Sequence, residues 1–284
     1  MQNIFEQTLL FEPWLKYKTP IVRQLAFSVA SPNILSQIPA QLDIQHAFEL
    51  HHEQVFFEHF LAYEKRLTEL DNNPTPLLDF LKQLKSTRLG LRFEYLFWFW
   101  LLDDAYHHYQ LIGHSIQIIE GANTLGELDF LILNKKTHEI EHWEVALKYY
   151  LAEHDLALQH WYGLNRTDTL LRKLTHFSHQ QFKFNSVKNH EIDRRFSIMK
   201  GQLYLPTNAL NNALPLWVNS ERRIGTWGNE TLKDFYRLQR QEWICPDWQQ
   251  SSPPAYWWTD GLYHNRTTQQ FYMFRNTALP YVNC

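Results

Sequence analysis

The sequence predicts a mixed α/β protein in which a helix, a three-stranded meander, a second helix and a further strand build one mixed sheet flanked by helices. Three observations predict it. Residues 126–133 (GELDFLIL) and 142–150 (HWEVALKYY) alternate with the period of a strand. The polar stretch 134–138 between them is short enough for a hairpin turn. Apolar residues at helical spacing precede and follow this pair, over 77–102 and 167–183.

Each element has its own signal. Residues 20–31 read as a short helix, opened by Pro20 and stopped before Pro32. Residues 43–70 read as a longer one, with Phe48, Val55, Phe56, Phe60 and Leu61 as its buried stripe, and the run 71–76 breaks the chain. His51 and His52 point about 100° apart on that helix, which suits surface residues better than one metal. The helix over 77–102 leads into a first strand at 114–120, and residues 121–124 turn the chain into the second. Asn165 or Thr167 can cap the helix of 167–183. Residues 196–205 form a fourth strand, ended by Pro206. Beyond residue 208 the pattern is irregular, with a helix expected over Leu232–Trp243 that presents Lys233, Arg237 and Arg240. Trp243, Trp248, Trp257 and Trp258 there suit packing beneath a loop-rich flank. The expected organisation is a helical N-terminal region (1–76) packed on a core (77–207), with a C-terminal extension (208–284).

Composition bounds the class. The chain has 284 residues, 15% of them aromatic, with 11 Trp against only 9 Gly, which describes a densely packed globular protein. No apolar run reaches eighteen residues, so no membrane helix is expected. Residues 1–6 lack the basic start of a secretory signal, and Cys245 and Cys284 give neither a metal spacing nor a disulfide framework. The expectation is a reduced, cytoplasmic protein. Its net charge of −3 is uneven: residues 1–159 carry −9, residues 160–240 carry +7 and residues 241–284 carry −1. A basic segment after an acidic one fits a polyanionic substrate, and equally two flanks packed together.

The chemistry concentrates in the two alternating strands. Leu128, Phe130 and Ile132 share one face of the first strand, and Glu127 and Asp129 the other. In the second strand His142, Glu144, Ala146 and Lys148 lie opposite Trp143, Val145, Leu147 and Tyr149. Pairing across the turn brings Asp129 and Glu144 to one face, with Lys148 further along it. Two carboxylates and an ammonium suit a magnesium-dependent cut at a phosphodiester. The alternative is the ordinary wet face of a half-exposed sheet. Glu94 is the third acid, set in the apolar run 91–102, where burial is costly without a partner. It either pairs with Arg88 or Arg92, lies on a partly exposed edge, or turns toward Asp129 and Glu144.

The order helix, three strands, helix, strand resembles the restriction-endonuclease-like core of the PD-(D/E)XK nuclease superfamily, with Asp129 and Glu144 as its acidic pair and Glu94 as the acid many members carry on the first core helix. Arg88, Gly90, Phe93 and Glu94, the stretches 124–131 (TLGELDFL) and 142–151 (HWEVALKYYL), and Gly163, Asn165, Asp168, Leu170 and Lys173 resemble an uncharacterised bacterial family within that superfamily. The likeness covers about residues 88–205 and extends weakly to Val22, Arg23, Leu25, Ala26, Ser31 and Pro32. It implies a nuclease in which Asp129, Glu144 and Glu94 hold Mg²⁺ or Mn²⁺. DNA is the expected substrate ahead of RNA. Lys148 would orient the attacking water, and Lys173, His176, Gln180 and Lys183 would contact the backbone. One position departs from the pattern: the superfamily's lysine would stand at Ala146. Lys148 could serve only through a bulge or twist near Ala146, and Lys173 is a second candidate for a migrated lysine. The rival expectation is an inactive nuclease fold that binds nucleic acid or protein, and a third is a hydrolase of small phosphate esters.

Overall fold

A computed structural model describes residues 10–153, 155–208, 213–246, 255 and 257–276. The first helix, α1 (Pro20–Ala30), is buried along almost its whole length, including Arg23, Gln24 and Ser28. It ends where Ser31, forced out of helical geometry by Pro32, turns extended (ψ 132°). α2 (Glu53–Asn72) begins ten residues later than its periodicity suggests. Residues 43–52 instead pair with the rest of the chain: Gln45 donates to Ser178 Oγ, and Glu49 bridges Phe196. The buried stripe of α2 is Phe56, His59, Phe60, Tyr63, Leu67 and Leu70. Leu61 is exposed, Val55 is half-buried, and Phe48 is buried but lies outside the helix. His51 is not a surface residue either. Its ring stacks on Phe196 at 4.0 Å, and burial pushes its pKa down to about 3.

The expected helix of 77–102 is two helices, α3 (Thr75–Leu81) and α4 (Leu89–Leu102). Between them the amide of Arg88 donates to Ser86 Oγ, a side-chain bond that competes with the helical ladder. The meander follows as β1 (Tyr109–Glu120), β2 (Asn123–Asn134) and β3 (Glu139–Ala152). Gly121, at φ +61°, turns β1 into β2. Asn134 organises the second turn, accepting the amides of Lys136 and His138 through its side chain and carbonyl. A short β4 (Trp161–Tyr162) pairs with the end of β3.

α5 (Leu170–His176) is capped by Thr169, whose hydroxyl accepts the Arg172 amide, rather than by Asn165 or Thr167. It runs straight into a π-helical turn, Phe177–Gln181. A small hairpin, β5 (Ser186–Val187) and β6 (His190–Glu191), precedes β7 (Arg194–Pro206), which runs parallel to β3. The C-terminal stretch continues the same sheet through β8 (Gly225–Gly228), β9 (Tyr236–Arg237), β10 (Gly261–Asn265) and β11 (Gln270–Phe274). The order is β1-β2-β3-β7-β8-β11-β10-β9 among the described residues, parallel at β3–β7, β7–β8 and β8–β11 and antiparallel elsewhere. The helix expected over Leu232–Trp243 is absent. Tyr236 and Arg237 are a strand, and Arg240–Trp243 form one 3₁₀ turn closed by a capping box between Gln239 and Glu242. Trp258 packs there, stacked on Tyr263 at 4.0 Å, whereas Trp257 is exposed; Trp248 lies outside the described residues.

Helices cover both faces of this sheet. On one face α1, α2 and α4 bury Phe130, Ile132, Trp143, Leu147, Phe196 and Ile198. Trp143 is the centre of that layer, with Phe97, Trp100 and Tyr109 around it and its indole N–H on Glu141 at 2.7 Å. On the other face α5 and the π turn set Leu170, Leu174 and Phe177 against Ala146, Tyr150, Met199 and Leu203. Among the described residues no helix is long and apolar enough to cross a membrane.

β3 and β7 lie unusually close at one point. Gly201 has φ +116°, and a Cβ built there would run into the Lys148 carbonyl. Only glycine permits both the dihedral and the approach. Gly201→Ala is therefore expected to lower stability by about 3 kcal/mol or more. Denaturant unfolding checks this; a variant within 1 kcal/mol of the parent would contradict the close approach.

Candidate active site

The regular β2–β3 ladder ends at Phe130 opposite Trp143. One step further, Asp129 stands opposite Glu144, and side chains replace the backbone pairing. The Val145 amide donates to Asp129 Oδ2 at 2.9 Å, and the Asp129 amide donates to Glu144 Oε1 at 3.3 Å. Each carboxylate takes an amide from the other strand. The β1–β2 register places Ser115, at φ +47°, between the pairs His114–Phe130 and Ile116–Leu128, and so beside Asp129. Ser115, Asp129 and Glu144 thus form one row across the meander. The alternation that fixes this row is the sequence's own: Phe130 and Trp143 must face the α4 layer, which sends the acids to the opposite face.

Glu144 is buried and firmly held. His142, two residues back on the same face, places Nε2 2.7 Å from Oε1, and Gln181 of the π turn donates to Oε2. Burial keeps His142 neutral, its pKa pushed down to about 3. The imidazole therefore donates through Nε2–H and leaves Nδ1 without a partner. Burial pushes the Glu144 carboxyl up to about 7, opposed by Gln181, Lys173 and the Asp129 amide and reinforced by Glu94. Asp129 is raised well above the usual carboxylate range, by burial first and then by the charges of Glu144 and Glu94.

Glu94 turns inward. Its Oε1 lies 2.7 Å from His114 Nε2 and 3.3 Å from Ser115 Oγ, while His114 stacks on Trp98 at 4.1 Å. Neither arginine claims it: Arg92 donates to Gln24, and Arg88 makes no ion pair with it among the described residues.

The two lysines part company. Lys148 pairs with Asp168 at 2.6 Å, and β3 pairs with β7 without a register shift from Glu141 to Leu151, so no bulge near Ala146 brings it back to the acids. Lys173 projects from α5 into the field of Glu144, Asp129 and Asp168, its ammonium 3.9 Å from the centre of the Phe177 ring. Burial lowers its pKa, and the carboxylates oppose that shift. His176 Nε2–H donates to Gln181 Oε1 at 3.0 Å, Lys183 reaches Gln180 at 3.5 Å, and the Lys183 ammonium lies over Phe184.

Four participants were not singled out from the sequence: His142, Gln181, His114 and Asp168. His142 carried a signal, since it alternates onto the face of Glu144. Gln181 did not, because a 3.6-residue period continued through 167–183 aligns Gln180 with Lys173. The π turn adds a residue and brings Gln181 to the site instead.

The donor set fits a hard divalent cation. Mg²⁺ commonly takes one or two protein carboxylates and fills its octahedron with water and phosphate oxygens. Asp129 and Glu144 supply two, and a cation between them would offset the burial and neighbouring negative charge that raise their pKa values. Among the described residues no three His, Cys, Asp or Glu side chains gather as one ligand set, so Glu94 does not join Asp129 and Glu144 as the third ligand the sequence suggests.

The raised carboxyls have a consequence for stability. Glu144 ordinarily titrates near 4.5 and here near 7, so between those values the folded chain holds a proton that the unfolded chain has released. Its contribution is full below about pH 4.5 and is lost as pH rises through about 7. Melting of the metal-free protein should therefore worsen from pH 5 to 8 relative to Glu144→Gln, whose profile should be flatter. Parallel profiles would contradict a buried, mutually repelling pair.

No curated protein and no solved structure matches the chain significantly. The family described as a domain of unknown function (DUF1853) matches residues 23–276, a span that includes every residue of this site, and the chain belongs to that family.

Proposed function

We propose that the protein is a divalent-metal-dependent nuclease of the PD-(D/E)XK type, acting on DNA ahead of RNA, with its lysine moved from β3 to α5. The observation that carries this reading is the facing pair Asp129 and Glu144 where the β2–β3 ladder opens, with Lys173 in their field. The order α4, β1, β2, β3, α5, β7, with β7 parallel to β3, supports the same reading. Mg²⁺ or Mn²⁺ between the two carboxylates would supply a Lewis acid and a water acidified toward neutrality. Asp129 and Glu144 hold the ion. His142 and Gln181 fix the orientation of Glu144, and His114 fixes Glu94. Lys173 supplies positive charge for the phosphate oxygens as charge develops on them, and its desolvation strengthens that interaction. Lys148, engaged by Asp168, is left to substrate binding, with His176, Gln180 and Lys183 toward the surface.

Two observations favour the rival, a binding module without catalysis. Ala146 occupies the superfamily's lysine position, and Glu144 is already satisfied by three protein donors. Incubation of purified protein with Mg²⁺ or Mn²⁺ and single- and double-stranded DNA and RNA separates the two. The nuclease reading predicts cleavage stopped by EDTA and abolished in Asp129→Ala. A shifted gel without cleavage would favour the module.

Lysine variants test the roles. Lys173→Ala is expected to cut on the order of 10²-fold more slowly with Mn²⁺ affinity kept, and Lys148→Ala to weaken substrate binding chiefly. Equal rates in Lys173→Ala and the parent would overturn the assignment.

A further inference from the structure

A second cationic place lies at the far end of the sheet. A cleft of about 770 Å³ opens between β9, β10 and β11 and the loop after β4. Arg237, Arg240 and Arg275 line it, with Asp260 as the single carboxylate, Trp243 and Leu164. Two of the guanidinium groups are fixed in place. Arg237 donates to the Asp260 carbonyl at 2.8 Å, and Arg275 donates to the Leu164 carbonyl at 3.0 Å while lying 3.3 Å from the Asp260 carboxylate. Each keeps further N–H donors free, since a guanidinium carries five. Arg240 is exposed and has no carboxylate partner among the described residues; its guanidinium lies over the Trp243 ring at 5.4 Å. Among the described residues, three guanidinium groups against one carboxylate leave the cleft with an excess of two positive charges.

The loop 163–168 joins this cleft to the carboxylate site. It is tightly closed, Gly163 donating to the Asp168 carbonyl at 2.6 Å. At one end its Leu164 carbonyl takes Arg275, and at the other its Asp168 takes Lys148. The loop thus touches Lys148 at one end and Arg275, on the cleft, at the other. Lys148 already stands roughly 13 Å along β3 from Glu144, so the cleft lies several nucleotides from any bond cut there.

We propose that this cleft holds backbone phosphates of a nucleic-acid strand at a distance from the cut, a proposal that takes its substrate class from the nuclease reading. Planar, fork-shaped guanidinium donors held by neighbouring carbonyls suit phosphate oxygens better than they suit a compact or apolar ligand.

Fluorescence anisotropy of a labelled single-stranded 20-mer, with the full chain in EDTA, tests it. Arg240→Gln is expected to weaken binding about threefold to tenfold and to lower the slope of log affinity against log salt by about 0.7, the value of one phosphate contact on a single strand. Arg240→Glu should weaken it further. Lys82→Gln, at an exposed cation just after α3, serves as the control, and melting curves establish that each variant folds. Unchanged affinity in the Arg240 variants, or an equal loss in Lys82→Gln, would overturn the proposal. The two readings fail separately. Arg240-dependent binding without cleavage would sink the nuclease and keep the cleft. Cleavage with Arg240-independent binding would do the reverse.

Discussion

Everything at the site depends on one exchange of hydrogen bonds. Where Asp129 and Glu144 meet, the two strands stop pairing backbone to backbone, and each carboxylate accepts an amide from the other strand. Two facing acids repel, and a regular ladder would hold them rigidly together with no compensation. Giving each an N–H donor satisfies the amides that the opened ladder releases and steadies the acids in the same step. The cost that remains is the burial of charge, visible in carboxyl groups raised above their ordinary range.

The layers on either face of the sheet build outward from that point. Trp143 and Phe130 anchor the strands against α4, and that packing fixes which residues face the other way. α5 crosses the opposite face on Leu170, Leu174 and Phe177, which is why Lys173 rather than Lys148 enters the field of the acids. The π turn that ends α5 then swings Gln181 onto Glu144. Gly201 lets β7 close on β3 beside Lys148, whose side chain goes to Asp168. Stability and site geometry are thus set by the same contacts, and the two repelling acids share a row with Ser115, itself at φ +47°.

What could be read from the sequence was what depends on local periodicity. The strands around Asp129 and Glu144, the turn at 134–138 and the strand over 196–205 all announce themselves by alternation, and the facing of the two acids follows from it. The inward Glu94 was legible as a carboxylate that its apolar run could not bury alone. What could not be read depends on distant partners. The segment 43–52 has helical spacing, but hydrogen bonds to Ser178, Arg195 and Ser197 hold it out of a helix. Residues 232–243 have the same spacing, yet Tyr236 and Arg237 pair with β10. The π turn is invisible to any constant period. Its single extra residue puts Gln181 in the place that a constant period gives to Gln180.

The central claim is that Asp129 and Glu144 together hold a divalent cation. Crystals grown at pH 8, where both carboxyls are best able to ionise, and soaked in Mn²⁺ give the most direct measurement through the anomalous signal of the metal. The account predicts a single strong peak with carboxylate oxygens of both residues at about 2.0–2.3 Å. It also predicts water in the remaining positions and no direct bond to Lys148. A soaked crystal with no peak between these two residues, or with Mn²⁺ bound only elsewhere, would contradict it.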